Sequence, residues 1–237
     1  MNDAKTNQAL IRQMLEKDRY HFDDLCCVVS ILRGEGGCPW DMEQTHKSIR
    51  TGMIEECYEV VEAIDTDNPV LLREELGDVL LQLVFHADIE KDAGRFNIDD
   101  VAHDECVKMI HRHPHVFGTV EAKTSEQVLQ NWEIIKSDEK QRTTLADKLR
   151  SIPPMLPALM RASKVIRKTT QTPADPSELL GNIRSALDAI EANGSADAEQ
   201  FSSLLWEVTS LAVRFGIDAE ESLTKATERA IDQVAGE

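Results

Sequence analysis

The chain is poor in aromatic residues (5%) and carries only 11 glycines and 8 prolines in 237 residues. With 41% apolar and 29% charged residues, that composition fits neither a disordered nor a fibrous protein and points towards helices. No C-x-x-C pair occurs among Cys26, Cys27, Cys38, Cys57 and Cys106. Neither a disulfide framework nor a zinc ribbon is implied, and a reducing cytoplasm is the expected location. Long apolar runs are missing too. The most apolar stretch, Val79 to Phe85, is interrupted by Gln82 and too short to span a bilayer, and Met1 to Thr6 is polar without an apolar export core. Basic residues are outnumbered 26 to 43, for a net charge of −17, which repels nucleic-acid backbones and anionic lipid. Neither nucleic acid nor membrane is therefore an expected partner.

What is present is helical periodicity in a chain long enough for one large domain or two small ones. Ile54, Tyr58 and Val61 recur at i, i+4, i+7, as do Leu76, Leu80, Leu83 and Val84 with a small drift in phase. Between them Asp65-Thr66-Asp67-Asn68-Pro69 reads as a helix stop, a capping asparagine and a first-turn proline, which makes the segment a helical hairpin. The second helix should end near Gly94, and Asn97 caps a third that runs to His113-Pro114. Thr124 and Gln127 form a capping box for a fourth. Pro153, Pro154 and Pro157 mark a connector. The expected division is 1–145 and 146–237, with further helices near 177–192, 198–215 and 219–235. Arg95 to Asp100 (RFNIDD) is echoed by Arg214 to Ala219 (RFGIDA), each after an apolar helix, as in a duplicated unit.

The chemistry is concentrated in Glu55-Glu56-Cys57-Tyr58-Glu59 and Glu75-Leu76-Gly77-Asp78. Helical positions three apart differ by about 60° in azimuth, so Glu56 and Glu59 share a face, as do Glu75 and Asp78. Hairpin packing can bring the four together, and Gly77, costly in mid-helix, suggests close helix approach there. Four facing carboxylates either rise in pKa or hold a hard cation, and an all-oxygen set favours magnesium or manganese over zinc. On spacing alone, a solvated acidic helix face fits as well.

The spacing E-E-x-x-E followed by E-x-x-D resembles the metal motif of the all-α nucleoside triphosphate pyrophosphohydrolases, specifically the MazG family. Supporting segments are Gly37-Cys38-Pro39-Trp40-Asp41, Glu75 to Leu80, Gly94-Arg95-Phe96, Arg112 to Phe117 and Leu156 to Ala162, so the likeness spans about residues 20–170. The resemblance implies an all-α helical-hairpin or four-helix-bundle fold and a Mg2+ site, with Mn2+ as substitute, at Glu56, Glu59, Glu75 and Asp78. One of these acids would be the general base. Nucleoside triphosphates would be cleaved to monophosphate and diphosphate, cleansing the nucleotide pool. Lys108 and Arg112 would grip phosphate, and a homodimer is implied. Trp40 either stacks on the base or sits in a core. The competing reading is a catalytically silent helical scaffold or regulatory protein.

A second copy of the motif is not apparent. Ala186 and Ala189 fall opposite Glu56 and Glu59, and Gln200 and Ser203 opposite Glu75 and Asp78. The second half thus reads as a degenerate helical repeat lacking the acidic motif. Glu43 and His46 form a lone E-x-x-H, where a di-iron bundle needs two. His111, His113 and His115 read as structural, and Cys38, without an identifiable histidine partner, as packing. Trp132 and Trp206 lie on apolar stripes and read as core. The basic group Arg161, Lys164, Arg167 and Lys168 reads as a counterweight to acidic surroundings.

Overall fold

A computed structural model describes residues 4–139, 144–169 and 175–236, and among these there are helices and no strands. The chain divides into two compact units, Met1–Ala122 and Lys123–Glu237.

The first unit contains α1 (Ala4–Leu15), α2 (Phe22–Arg33), α3 (Pro39–Glu43), α4 (His46–Asp65), α5 (Pro69–Asp92), α6 (Ile98–Arg112) and the short α7 (Pro114–Phe117). Helices α4 and α5 form the expected hairpin. The Asn68 side chain accepts from the amides of Val70 (3.2 Å) and Leu71 (3.1 Å), and Pro69 fills the first helical position. Gly94 ends α5 in a left-handed conformation (φ 70°), and Asn97 caps α6. The core is Val29, Ile49, Val84 and Phe85, with Leu25, Cys26, Leu81, Ile89 and Ile98 packed on it, so α2 and α6 brace the hairpin. Beside it the buried Arg33 donates to Asp88 and Asp92, 2.9 Å each, and lies over the Phe85 ring. Close approach within the hairpin falls at Gly52, not Gly77. A Cβ at Gly52 would come within 3.1 Å of the Gln82 amide, whereas one at Gly77 would meet nothing within 4 Å.

The second unit contains α8 (Ser125–Glu139), α9 (Leu145–Arg150), α10 (Ala158–Thr169), α11 (Pro176–Asn193), α12 (Ala198–Arg214) and α13 (Ala219–Ala235). Its start lies upstream of the 145/146 division because α8 shares a cavity wall with α9 and α10. Helices α11 and α12 form a second hairpin, turned by the left-handed Gly194 (φ 62°) and capped by Asp197. The Glu220 carboxylate accepts from the Leu159 and Met160 amides, 3.1 Å each, tying α13 to the start of α10. Trp206 is not a core residue. It is 42% exposed and lines a cavity of about 440 Å3, while Thr209 takes the buried place. Trp132 is half-buried beneath the Lys136 ammonium.

Candidate metal and nucleotide site

The hairpin delivers the acids as helical geometry dictates. Glu56 and Glu59 lie one turn apart on α4, Glu75 and Asp78 one turn apart on α5, and the two helices pack along their length. Carboxylate oxygens of Glu56, Glu75 and Asp78 lie within 4.8 Å of one another. Among the described residues this is the only group of three or more His, Cys, Asp or Glu side chains gathered so closely. Glu75 is buried, Glu56 and Asp78 half-buried, and Glu59 is exposed but within hydrogen-bonding reach of Glu56 and Glu75. Glu55 and Glu62 face solvent, so the helix carries a solvated acidic face and a convergent one.

Crowding shows in the proton affinities. Burial, then the hydrogen bond from Glu59 and the charges of Glu59 and Asp78, push the Glu75 carboxyl up to about 7. Burial and the same neighbours raise Glu56. The cluster therefore holds a proton near neutrality unless a cation replaces it. Three converging oxygen donors with a fourth beside them suit a hard divalent ion, and the histidines and thiolates that would select zinc are missing from the set.

The other expected residues surround this cluster less directly. Lys108 pairs with Glu105 on α6, and Arg112 is buried in the last turn of that helix, which packs against α5. Trp40 lies on α3 and is 64% exposed, so its ring is not in a core. His113 contacts the Met109 carbonyl through Nδ1 at 2.6 Å, a structural role. Cys38 is the residue before α3.

One constellation escapes the sequence reading. His46 is not half of a di-iron motif. Its ring stacks on His86, with the two Nδ1 atoms 2.7 Å apart, and its Nε2 lies 2.5 Å from Glu90, which also receives a forked contact from Arg95 at 2.5 and 2.7 Å. Arg95, then His46, hold the Glu90 carboxyl down at about 2. Burial and His46 lower the His86 ring. The chain ties the first turn of α4 to the far half of α5, closing the hairpin at the end away from its turn. His86 and Glu90 stand one turn apart on α5, and that spacing was the available signal.

In the second hairpin, Ala186 and Ala189 of α11 and Gln200 and Ser203 of α12 line one cavity of about 300 Å3 with Asp197 and Glu199.

The family described as the MazG nucleotide pyrophosphohydrolase domain matches residues 44–117, which contain all four acids. The chain is 38% identical over 217 residues to the nucleoside triphosphate pyrophosphohydrolase/pyrophosphatase MazG of Thermotoga maritima, covering 90% of this chain and 83% of that one. It is 37% identical over 218 residues to the nucleoside triphosphate pyrophosphohydrolase of Escherichia coli K12, covering 87% and 83%. The protein of the same name from Mycobacterium tuberculosis is 35% identical over 213 residues, covering 89% and 56%.

Proposed function

The chain belongs to the MazG family of nucleotide pyrophosphohydrolases, and from that premise we propose how its own residues carry the reaction. It is a nucleoside triphosphate pyrophosphohydrolase. Water adds to the α-phosphorus, the α,β-bridging P–O bond breaks, and monophosphate, diphosphate and a proton leave. Glu56, Glu75 and Asp78 hold magnesium, which manganese can replace, with Glu59 as a fourth ligand or as the partner that manages their shared proton. The ion supplies charge neutralisation for the polyphosphate and acidifies water. One of the four acids accepts the proton of the attacking water. Lys108 and Arg112 neutralise phosphate oxygens, and the exposed Trp40 ring stacks on the base.

The observation that carries this reading is the convergence of three carboxylates within 4.8 Å around a Glu75 pushed up to about 7. A purely solvated acidic face would not gather them.

A homodimer belongs to the same reading. Ile54, Tyr58 and Val61 on α4 and Leu76 and Leu83 on α5 are 40–56% exposed, an apolar stripe suited to a second copy. A cytoplasmic location accords with five free cysteines and with no described helix long and apolar enough to cross a membrane. The second hairpin is a degenerate repeat that binds no cation.

The test is pyrophosphate release from a panel of triphosphates with magnesium, for the parent chain and for Glu56→Gln and Asp78→Asn. The proposal expects release from the parent and near-complete loss in both variants. Equal traces from all three would favour a silent scaffold.

A further inference from the structure

A cavity of about 830 Å3 lies in the second unit and is lined by none of the acids of the first hairpin. Its wall is built by α8, α9 and α10 with the connector between the last two. Lys136, Lys148, Lys164, Arg167 and Lys168 line it, against the carboxylates of Glu133 and Asp138. A net positive cavity is unexpected in a chain of charge −17. If these cations merely offset acidic surroundings, they would be paired with carboxylates. Among the described residues Lys148, Lys164, Arg167 and Lys168 make no ion pair. Lys136 lies 3.9 Å from Glu133 and 4.2 Å above the Trp132 ring.

Helical spacing explains the convergence. Lys164, Arg167 and Lys168 follow i, i+3, i+4 on α10 and so share one face, and the proline connector folds α9 back so that Lys148 looks into the same space. The floor is apolar, made by the buried Ile152 with Pro153 and Leu156. Several cations around an apolar floor, in a volume within the usual range for small-molecule sites, match an anion with several phosphate charges and room for an uncharged body. A nucleic-acid strand is a poorer match, because the chain as a whole repels it.

We infer that this cavity binds a small polyphosphate anion, as free pyrophosphate or as the tail of a nucleoside polyphosphate, at a site separate from the hydrolytic one. The two sites have opposite requirements. Four crowded carboxylates reject a polyphosphate unless a divalent cation intervenes, whereas a basic cavity accepts one without metal. Chelation therefore isolates the new site.

The experiment is calorimetric titration of the whole chain with sodium pyrophosphate and, separately, with α,β-methylene-ATP, both in EDTA. Each should bind at one site per chain. Tighter binding of the nucleotide assigns the body-binding floor, and equal affinity assigns the phosphate charges alone. Lys164→Glu with Arg167→Glu should weaken binding at least tenfold. The milder Lys164→Gln with Arg167→Gln should weaken it severalfold with helix content and thermal midpoint unchanged. Glu56→Gln should leave this binding intact while abolishing magnesium-dependent hydrolysis, so failure of the hydrolytic reading and failure of this one are separable. Trp132 fluorescence, read in a Trp40→Phe and Trp206→Phe background, should change on binding as Lys136 turns towards the anion. Absence of stoichiometric binding in the parent, or undiminished binding in the Lys164 and Arg167 variants, overturns the proposal.

Discussion

Cation binding should be coupled to proton release, and the structure fixes where on the pH scale. Glu75 has its carboxyl pushed up to about 7 by burial, by its hydrogen bond with Glu59 and by the charges of Glu59 and Asp78. The proton belongs to the cluster as much as to one residue. Without a cation the cluster is about nine-tenths protonated at pH 6, half at pH 7 and one-tenth at pH 8. A divalent ion that needs every carboxylate ionised must displace that fraction of a proton, so its affinity should rise about tenfold from pH 6 to pH 8. The assay is titration with Mg2+ in two buffers of different ionisation enthalpy, which counts protons directly. About 0.9 proton per ion should appear at pH 6 and about 0.1 at pH 8. Glu75→Gln should bind more weakly and with a flatter pH dependence. The apo protein gives the opposite sign on stability. The folded state holds a proton between the ordinary value of 4.5 and about 7 that the unfolded chain has released, so cation-free stability should fall as pH rises through that window. An affinity that does not change between pH 6 and 8, with no proton released, would refute the reasoning.

Other outcomes follow from the same contacts. Glu56→Gln and Asp78→Asn should each lower pyrophosphate release about a hundredfold or more, since even loss of a group that merely supports a ligand costs up to that; unchanged initial rates would remove both from the site. Arg33→Met removes the buried guanidinium from Asp88, leaving it only the exposed Lys91 ammonium at 3.5 Å, and should cost about 3 kcal/mol in urea unfolding. Phe85→Ala opens a cavity at the α2–α5 contact and should cost a similar amount, about 3–5 kcal/mol. Tyr58→Glu or Leu76→Glu places a charge on the exposed apolar stripe, and sedimentation should then report a monomer while the helix content measured by circular dichroism stays constant.

The hairpin was legible because its punctuation is local. Asn68-Pro69 and Asn97 act through backbone amides two or three residues away, so the residues that announce a helix start are the ones that cap it. The acids were legible for a similar reason, since i, i+3 spacing fixes a common face before any tertiary packing. Whether two such faces meet is a tertiary fact, and spacing alone left solvent as an equal alternative until α5 was placed beside α4. Gly77 misled because a mid-helix glycine signals close approach without saying to what, and the contact falls at Gly52 instead. The role of His46 was not legible for a related reason. Its partners His86 and Glu90 lie 40 and 44 residues away, and only folding shows that they outrank the nearby Glu43. Trp206 sits on an apolar stripe as read, but the stripe is part of an exposed face, and periodicity does not distinguish a face turned to a core from one left open. The basic helix α10 was read as charge balance because its neighbours on α8 and α9 are distant in sequence, and the cavity they share exists only in the fold.

The central claim is that a divalent ion sits between the two helices of the first hairpin and that hydrolysis depends on it. Anomalous diffraction from crystals soaked in Mn2+ tests it most directly. The expected result is a peak within coordination distance of Glu56, Glu75 and Asp78 that disappears in a Glu56→Gln, Asp78→Asn double variant. A chain that releases pyrophosphate in the same Mn2+ solution while showing no peak between those carboxylates would contradict the account.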